Sequence, residues 1–215
     1  LKIIEDCAQS IGSKYNGKFS GYFSDIACFS THPLKNLNAC GDGGFITTNN
    51  YKYFKRIKKL INHGIVNRNT VDEFGYVSRM DNIQACILNY RLTKLKQIIN
   101  NRRKNAKYYL DNLDRSKLKL PYEIKNEFNT YHTFVIQTKK RDKLKKFLND
   151  QGIETSIHYP IPIHLQKSSM SLGYSIGSFP NVEKQAKEIL SLPIHQNLKI
   201  KDLKIITNKI NGFLN

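Results

Sequence analysis

Three short apolar runs lie near the start of the chain, at residues 1–5, 25–30 and 43–48. Each is bounded by Gly, Asn, Asp or Ser. Runs of this length and setting read as sheet strands buried on both faces. Residues 50–63 follow with Tyr53, Phe54, Ile57, Leu60 and Ile61 on one helical face, and Gly64 is a stop signal. Strands followed by an amphipathic helix make this part α/β in class.

Residues 67–77 are polar and read as a loop. From Arg79 one long helical pattern runs to about Leu113, with Met80, Ile83, Ile87, Tyr90, Leu95, Ile98 and Ile99 as its apolar stripe. A helix of that length connects or spans domains. Beyond it, residues 132–138 and 154–159 read as strands. Residues 141–151, 182–190 and 201–214 read as helices, the first closed by Gly152. The expected organisation is an α/β part over 1–80, a long connecting helix over 81–114 and a smaller α+β domain over 115–215.

The chain carries 35 Lys and Arg against 17 Asp and Glu, a formal charge of +18. Such an excess can signal a nucleic-acid partner. Here the lysines alternate with apolar residues over 52–59 and 139–146, as solvated helix faces do. No nucleic-acid partner is therefore expected, and a positive surface would instead attract an anionic substrate such as a nucleotide diphosphate. No apolar run approaches the roughly 18 residues of a membrane span, and the N-terminus lacks a secretory pattern. Cys7, Cys28, Cys40 and Cys86 have neither CxxC spacing nor a Cys/His zinc frame. Free thiols in a reducing cytoplasm, and no metal, are expected.

Two segments hold candidate chemistry. Asp6 closes the first strand, at the edge where α/β sheets gather active sites; an Asp there can equally cap a helix or pair with a cation. The stretch FSTHPLKNLNACGDGG (29–44) sets Lys35 in a Gly-rich loop directly after a strand. Gly41, Gly43 and Gly44 permit close backbone approach to a ligand, although a loop lysine can also be a plain surface charge. His158 and His164 flank a Pro-rich turn and read either as satisfied turn histidines or as ligand contacts. Arg79 either braces the long helix or faces an anionic ligand.

Taken together, EDCAQS (5–10) and DIACFSTHPLKNLNACGDGG (25–44) resemble the DegT/DnrJ/EryC1/StrS family of sugar aminotransferases. The likeness continues in order through INHG (61–64), GYVSRMDNIQACIL (75–88), SIHYPIPIHLQ (156–166) and ILSLPIH (189–195), and so covers nearly the whole chain. It implies part of the large domain of a type I PLP-transferase, aspartate-aminotransferase-like, followed by a small α+β C-terminal domain. It further implies pyridoxal 5'-phosphate as cofactor, L-glutamate as amino donor and a nucleotide-linked keto sugar as acceptor. The HYPIPIHLQ form is most similar to the branch acting on dTDP-linked 3-keto-6-deoxy sugars. The product would serve cell-surface glycan or glycosylated-metabolite synthesis. A homodimer with sites at the subunit interface is also implied.

Residue by residue, Lys35 matches the lysine that holds the cofactor and then carries a proton between substrate and cofactor. Asp6 matches the carboxylate that pairs with the pyridine nitrogen. Gln9 matches the position beside the ring and its 3-oxygen, and Ser30 the hydroxyl that bonds the cofactor phosphate. His158 and His164 match a loop near the sugar nucleotide. The related sugar 3-dehydratases carry histidine where Lys35 stands, so Lys35 favours transamination over dehydration.

Two departures qualify the resemblance. Val77 stands where many relatives carry an Asn that reaches the neighbouring subunit's cofactor phosphate, and valine cannot donate a hydrogen bond. The resemblance also implies a long segment ahead of Leu1. The chain is therefore expected to be a C-terminal fragment, inactive alone, with exposed strand edges and apolar faces. The alternative is a non-catalytic cofactor-binding or regulatory protein of the same fold. Val77 and the implied missing N-terminal segment speak for it; intact Asp6, Gln9, Ser30 and Lys35 speak against it.

Overall fold

The computed structural model describes residues 1–215, which divide into two units: Leu1–Asn100 with Ile124–His132, and Asn101–Glu123 with Thr133–Asn215. In the first unit, β1 (Ile4–Asp6), β4 (Ile26–Ser30) and β5 (Gly44–Thr47) form one sheet in the order β1-β4-β5. β1 runs parallel to β4 with Asp6 opposite Cys28, and β5 runs antiparallel to β4 with Phe45 opposite Phe29. Those two rings stack with centroids 4.7 Å apart. Ala27 and Cys7 are buried, but Ile3, Ile4 and Ile46 are exposed. Burial of the strands on both faces is thus not met within this chain, because no element covers those side chains.

Between β1 and β4 lies a hairpin of β2 (Lys14–Tyr15) and β3 (Lys18–Phe19). Its turn is Asn16-Gly17, both at positive φ (48° and 74°), the geometry of a type I′ turn. The strand β8 (Glu127–Phe128) pairs antiparallel with β2, which returns residues 124–132 to the first unit.

The helix α1 (Tyr51–Leu60) starts where the Asn50 side chain accepts the Lys52 and Tyr53 amides. Gly64 is required after it: at φ +72°, a Cβ would lie 1.7 Å from the Glu73 carbonyl oxygen. Residues read as a loop contain a small hairpin, β6 (Ile65–Asn67) with β7 (Thr70–Val71).

The single long helix is in fact two, α2 (Asn82–Leu92) and α3 (Leu95–Asn112). The break has a local cause. The Thr93 hydroxyl donates to the Tyr90 carbonyl at 2.7 Å, and the Thr93 and Lys94 amides bond to Tyr90 and Arg91, only three residues back. A β-branched hydroxyl residue competing for a helix carbonyl tightens the last turn and ends the run. The division between units falls at Asn100/Asn101, inside α3, rather than at either end of one connecting helix.

The second unit contains β9 (Phe134–Gln137), α4 (Arg141–Asp150), α5 (Pro180–Glu188), β10 (Ile189–Leu192) and α6 (Ile200–Leu214). β9 and β10 pair antiparallel, with Ile136 opposite Leu190. Phe134, Ile136, Leu144, Leu148, Leu190 and Ile210 are fully buried and form the centre of its core. Leu190, read as helical, is a strand residue because β9 offers it a partner on that line. The expected strand over 154–159 does not form; only Ser156 bridges to Ser191. None of the helices is long and apolar enough to cross a membrane.

Candidate active site

The parallel pairing of β1 with β4 brings two chain exits to one sheet edge. The Cys7 amide, first beyond β1, donates to the Cys28 carbonyl at 2.8 Å. Asp6 and Ser30 are the last residues of their strands, so carboxylate and hydroxyl sit at the same, carboxyl end. The neighbouring acid is already committed: Glu5 accepts the Gly21 amide at 2.9 Å and the Ser24 hydroxyl at 3.4 Å. Asp6 is exposed, and its Oδ1 accepts the Ala8 amide at 3.0 Å, which leaves acceptor capacity on the other oxygen. Gln9 is exposed in the turn that follows. The Ser30 hydroxyl accepts the His32 amide at 3.3 Å.

Lys35 sits on a loop held at many points. At its neck the Thr31 amide donates to the Gly43 carbonyl and the Ala39 amide to the Thr31 carbonyl, each at 2.8 Å. Next to Lys35, the buried Asn36 side chain donates to the Thr130 carbonyl at 3.2 Å. Leu37 and Ala39 are buried with Leu88, against Ile11, Phe45, Met80 and Leu95. From α2, Gln84 accepts the Cys40 amide at 2.8 Å and Arg91 donates to the Asn38 carbonyl at 2.9 Å. The lysine itself is half-buried, and its side chain makes no ion pair. The loop that carries this amine follows directly on Ser30, at the sheet edge where Asp6 also ends its strand, and its backbone is fixed by these bonds.

The glycines of this loop serve the fold first. A Cβ on Gly43 would lie 2.7 Å from the Thr31 hydroxyl oxygen, and one on Gly44 would lie 2.6 Å from the Phe29 carbonyl oxygen. The close approach they permit is to strand β4 itself. Cys7, the first residue beyond β1, is buried, and burial pushes its thiol up to about 11, which disfavours the thiolate.

His158 and His164 lie in the second unit. His158 is exposed, with Nδ1 2.8 Å from the Ser191 hydroxyl. His164 is buried, with Nε2 3.1 Å from Glu183 and its ring edge-on to Phe179. Val77 is exposed and bridges to Asn62. Arg79 is exposed and forms no ion pair, so of its two readings the bracing of the helix finds no support in a salt bridge. A cavity of about 780 Å³ belongs to the second unit and is lined by five lysines; none of the nominated residues lines it.

Reading along the chain did not single out Asn36, Gln84, Arg91 or Thr130 as supports of the lysine loop. Asn36 carries a faint signal, as a polar residue between Lys35 and the apolar Leu37. Thr130 carries none.

The chemistry of the donor set fits pyridoxal 5'-phosphate. A carboxylate suits its protonated ring nitrogen, a hydroxyl its phosphate, and an amine its aldehyde carbon.

The sequence pattern of the DegT/DnrJ/EryC1/StrS aminotransferase family matches residues 1–211. Among curated proteins, a "pleiotropic regulatory protein" of Geobacillus stearothermophilus is 40% identical over 99% of this chain and 58% of its own length. A UDP-N-acetyl-3-dehydro-alpha-D-glucosamine 3-aminotransferase of Acidithiobacillus ferrooxidans is 38% identical over 100% and 58%. A dTDP-3-amino-3,6-dideoxy-alpha-D-galactopyranose transaminase of Aneurinibacillus thermoaerophilus is 38% identical over 99% and 58%. The crystal structure of S. venezuelae DesV in complex with ketimine intermediate matches 100% of this chain and 58% of its own, with a TM-score of 0.96 at 33% identity. The chain thus spans less than two thirds of the length of the relatives it matches.

Proposed function

Because this chain belongs to the DegT/DnrJ/EryC1/StrS aminotransferase family and carries part of its type I α/β fold, we propose that it supplies the lysine side of a pyridoxal 5'-phosphate site. The full-length enzyme would move an amino group from L-glutamate to a nucleotide-linked keto sugar. The observation that supports this reading is a loop fixed by many bonds that carries Lys35 and follows directly on Ser30, at the end of the β1–β4 pair where Asp6 also lies.

When bound, the cofactor supplies an electron sink and a carrier for the amino group. The chain's own residues do the rest. Asp6, with one oxygen uncommitted, would hold a proton on the ring nitrogen. Ser30, which already accepts from His32, would still have its hydroxyl hydrogen to donate to the phosphate. Lys35 would hold the cofactor through its amine and would then serve as the group that accepts and returns a proton. Gln9 would lie near the ring. The bonded loop fixes the backbone from which the lysine projects, so little backbone order would be lost when substrate binds.

Relatives named for a UDP-linked 3-dehydro sugar and for a dTDP-linked 3-amino sugar support the acceptor class. Within it we favour a dTDP-3-keto-6-deoxyhexose, from the HYPIPIHLQ segment. Two copies would complete each site, and the 215-residue chain alone would be inactive. A non-catalytic, regulatory role has one observation in its favour: exposed Val77 offers no donor to a neighbouring cofactor phosphate.

The test is an absorbance spectrum of the full-length protein with pyridoxal 5'-phosphate, before and after L-glutamate, beside Lys35→Ala. A near-visible band that shifts on glutamate and is missing in the variant is the expected result. A wild-type band that never responds to glutamate would hand the lead to the non-catalytic role.

A further inference from the structure

We propose that Glu183 is a positioning residue which, through His164, holds the 159–163 turn in place, leaving His158 as the histidine free to meet a nucleotide sugar. The functional part of this inference rests on the aminotransferase reading above.

The geometry centres on one carboxylate in the first turn of α5. Glu183 accepts from His164 Nε2 at 3.1 Å, from the Gly177 amide at 2.9 and 3.0 Å through both oxygens, and from the Phe179 amide at 3.2 Å. Three separate chain positions are thereby tied to one side chain. Both members of the pair are sheltered, with side-chain exposures of 8% for His164 and 12% for Glu183. Phe179 closes over the imidazole edge at 4.8 Å between centroids and packs on Tyr174 at 5.2 Å. Buried polar groups that satisfy one another this fully specify a single arrangement, and a carboxylate at a helix N-terminus gains from the helix dipole.

His164 is therefore spent on the fold. The turn before it behaves differently. Tyr159, Ile161 and Ile163 are 65%, 50% and 83% exposed, an unusual amount of apolar surface for five residues. Pro160 and Pro162 restrict their own φ angles, and Gln166 donates to the Ile161 carbonyl at 3.3 Å. His158 uses Nδ1 toward Ser191, so Nε2 remains available. A turn locked from behind by the clasp presents these groups at low entropic cost to a ligand. Without Glu183, the turn loses its anchor while the ligand-facing residues remain.

The experiment uses full-length wild-type protein, Glu183→Gln, His164→Gln and His158→Ala. Hydrogen exchange reads the clasp directly: amides of residues 163–165, 177 and 179 should exchange faster in Glu183→Gln and His164→Gln, and not in His158→Ala. Binding is read with dTDP-glucose and UDP-N-acetylglucosamine as unreactive probes, and the donor half-reaction by the glutamate-dependent spectrum. Both clasp variants should weaken binding of the better probe by about tenfold, with the glutamate half-reaction within about twofold of wild type. His158→Ala should weaken the probe without altering exchange. Unchanged exchange in both clasp variants, or an equal loss of probe binding and glutamate reaction, overturns the proposal. A wild-type protein that ignores glutamate sinks the aminotransferase reading instead, and the exchange result still decides the clasp.

Discussion

The Asn36 side-chain amide donates to the backbone carbonyl of Thr130 at 3.2 Å, across a separation of 94 positions. That bond pins the residue next to Lys35 to the returning segment of the first unit. Thr130 also approaches Ser13, hydroxyl to hydroxyl, at 3.2 Å, so one threonine joins the hairpin region and the lysine loop.

Asn36→Ala should leave the buried Thr130 carbonyl without its donor. A buried unsatisfied group costs about 1–3 kcal/mol. Denaturant unfolding of the full-length protein should show a lower midpoint with an unchanged slope, and cofactor affinity should fall with it. Stability equal to wild type would mean that the loop is held by its other contacts alone.

Glu5 and Asp6 are adjacent acids with different contacts: Glu5 holds Gly21 and Ser24, whereas Asp6 accepts only the Ala8 amide, and the proposed site gives it the cofactor's ring nitrogen. Asp6→Asn should keep the fold and lose transamination by about 10²–10⁴-fold, the range for a lost protonic partner. Glu5→Gln should instead weaken the Gly21 contact and lower stability by about 1 kcal/mol, with turnover per folded molecule preserved. Steady-state kinetics and thermal melting of the two variants separate the roles; similar losses of turnover in both would refute the division.

The Lys59 ammonium bonds Asp72 at 2.6 Å and Glu73 at 2.7 Å. The Asp72 hydrogen bond, then that of Glu73, raises the Lys59 pKa, and Lys59 lowers those of both carboxylates. Depressed carboxylates contribute above their unfolded values and lose that contribution as pH falls through the lowered ones. The raised lysine contributes below its unfolded value and loses it as pH climbs through the raised one. The stability difference between wild type and Lys59→Met should thus be flat between about pH 6 and 9 and shrink below about pH 4. A difference that changes near neutrality would point to another group.

Cys40 and Cys86 are exposed, whereas Cys7 is buried with its thiol pushed up to about 11. A thiol reagent at pH 8 should spare Cys7 until denaturant is added. Mass spectrometry of the labelled peptides reads the order directly, and prompt labelling of Cys7 would show that the strand exit opens in solution.

Much of this protein is written in contiguous residues. The strands beginning near Ile4, Ile26 and Gly44, the helix capped by Asn50 and the stop at Gly64 are local events, set by apolar runs, a capping side chain and a backbone angle only glycine takes easily. Lys35 in its Gly-rich loop and Asp6 at a strand end are legible for the same reason, as is the ordered set of motifs matching the family over residues 1–211.

What the tertiary structure decided is which distant groups satisfy one another. Thr93 broke a continuous apolar stripe because its hydroxyl reached a carbonyl, which hydrophobic period cannot register. Leu190 became a strand residue because β9 lay beside it. His164 was committed by Glu183, and Asn36 by Thr130. Hydrogen bonds are short and directional, so their assignment depends on where the folded chain places each partner. The sequence by itself determined the chemical groups this protein brings, while the fold alone decided which of them are consumed in holding it together and which stay free to act.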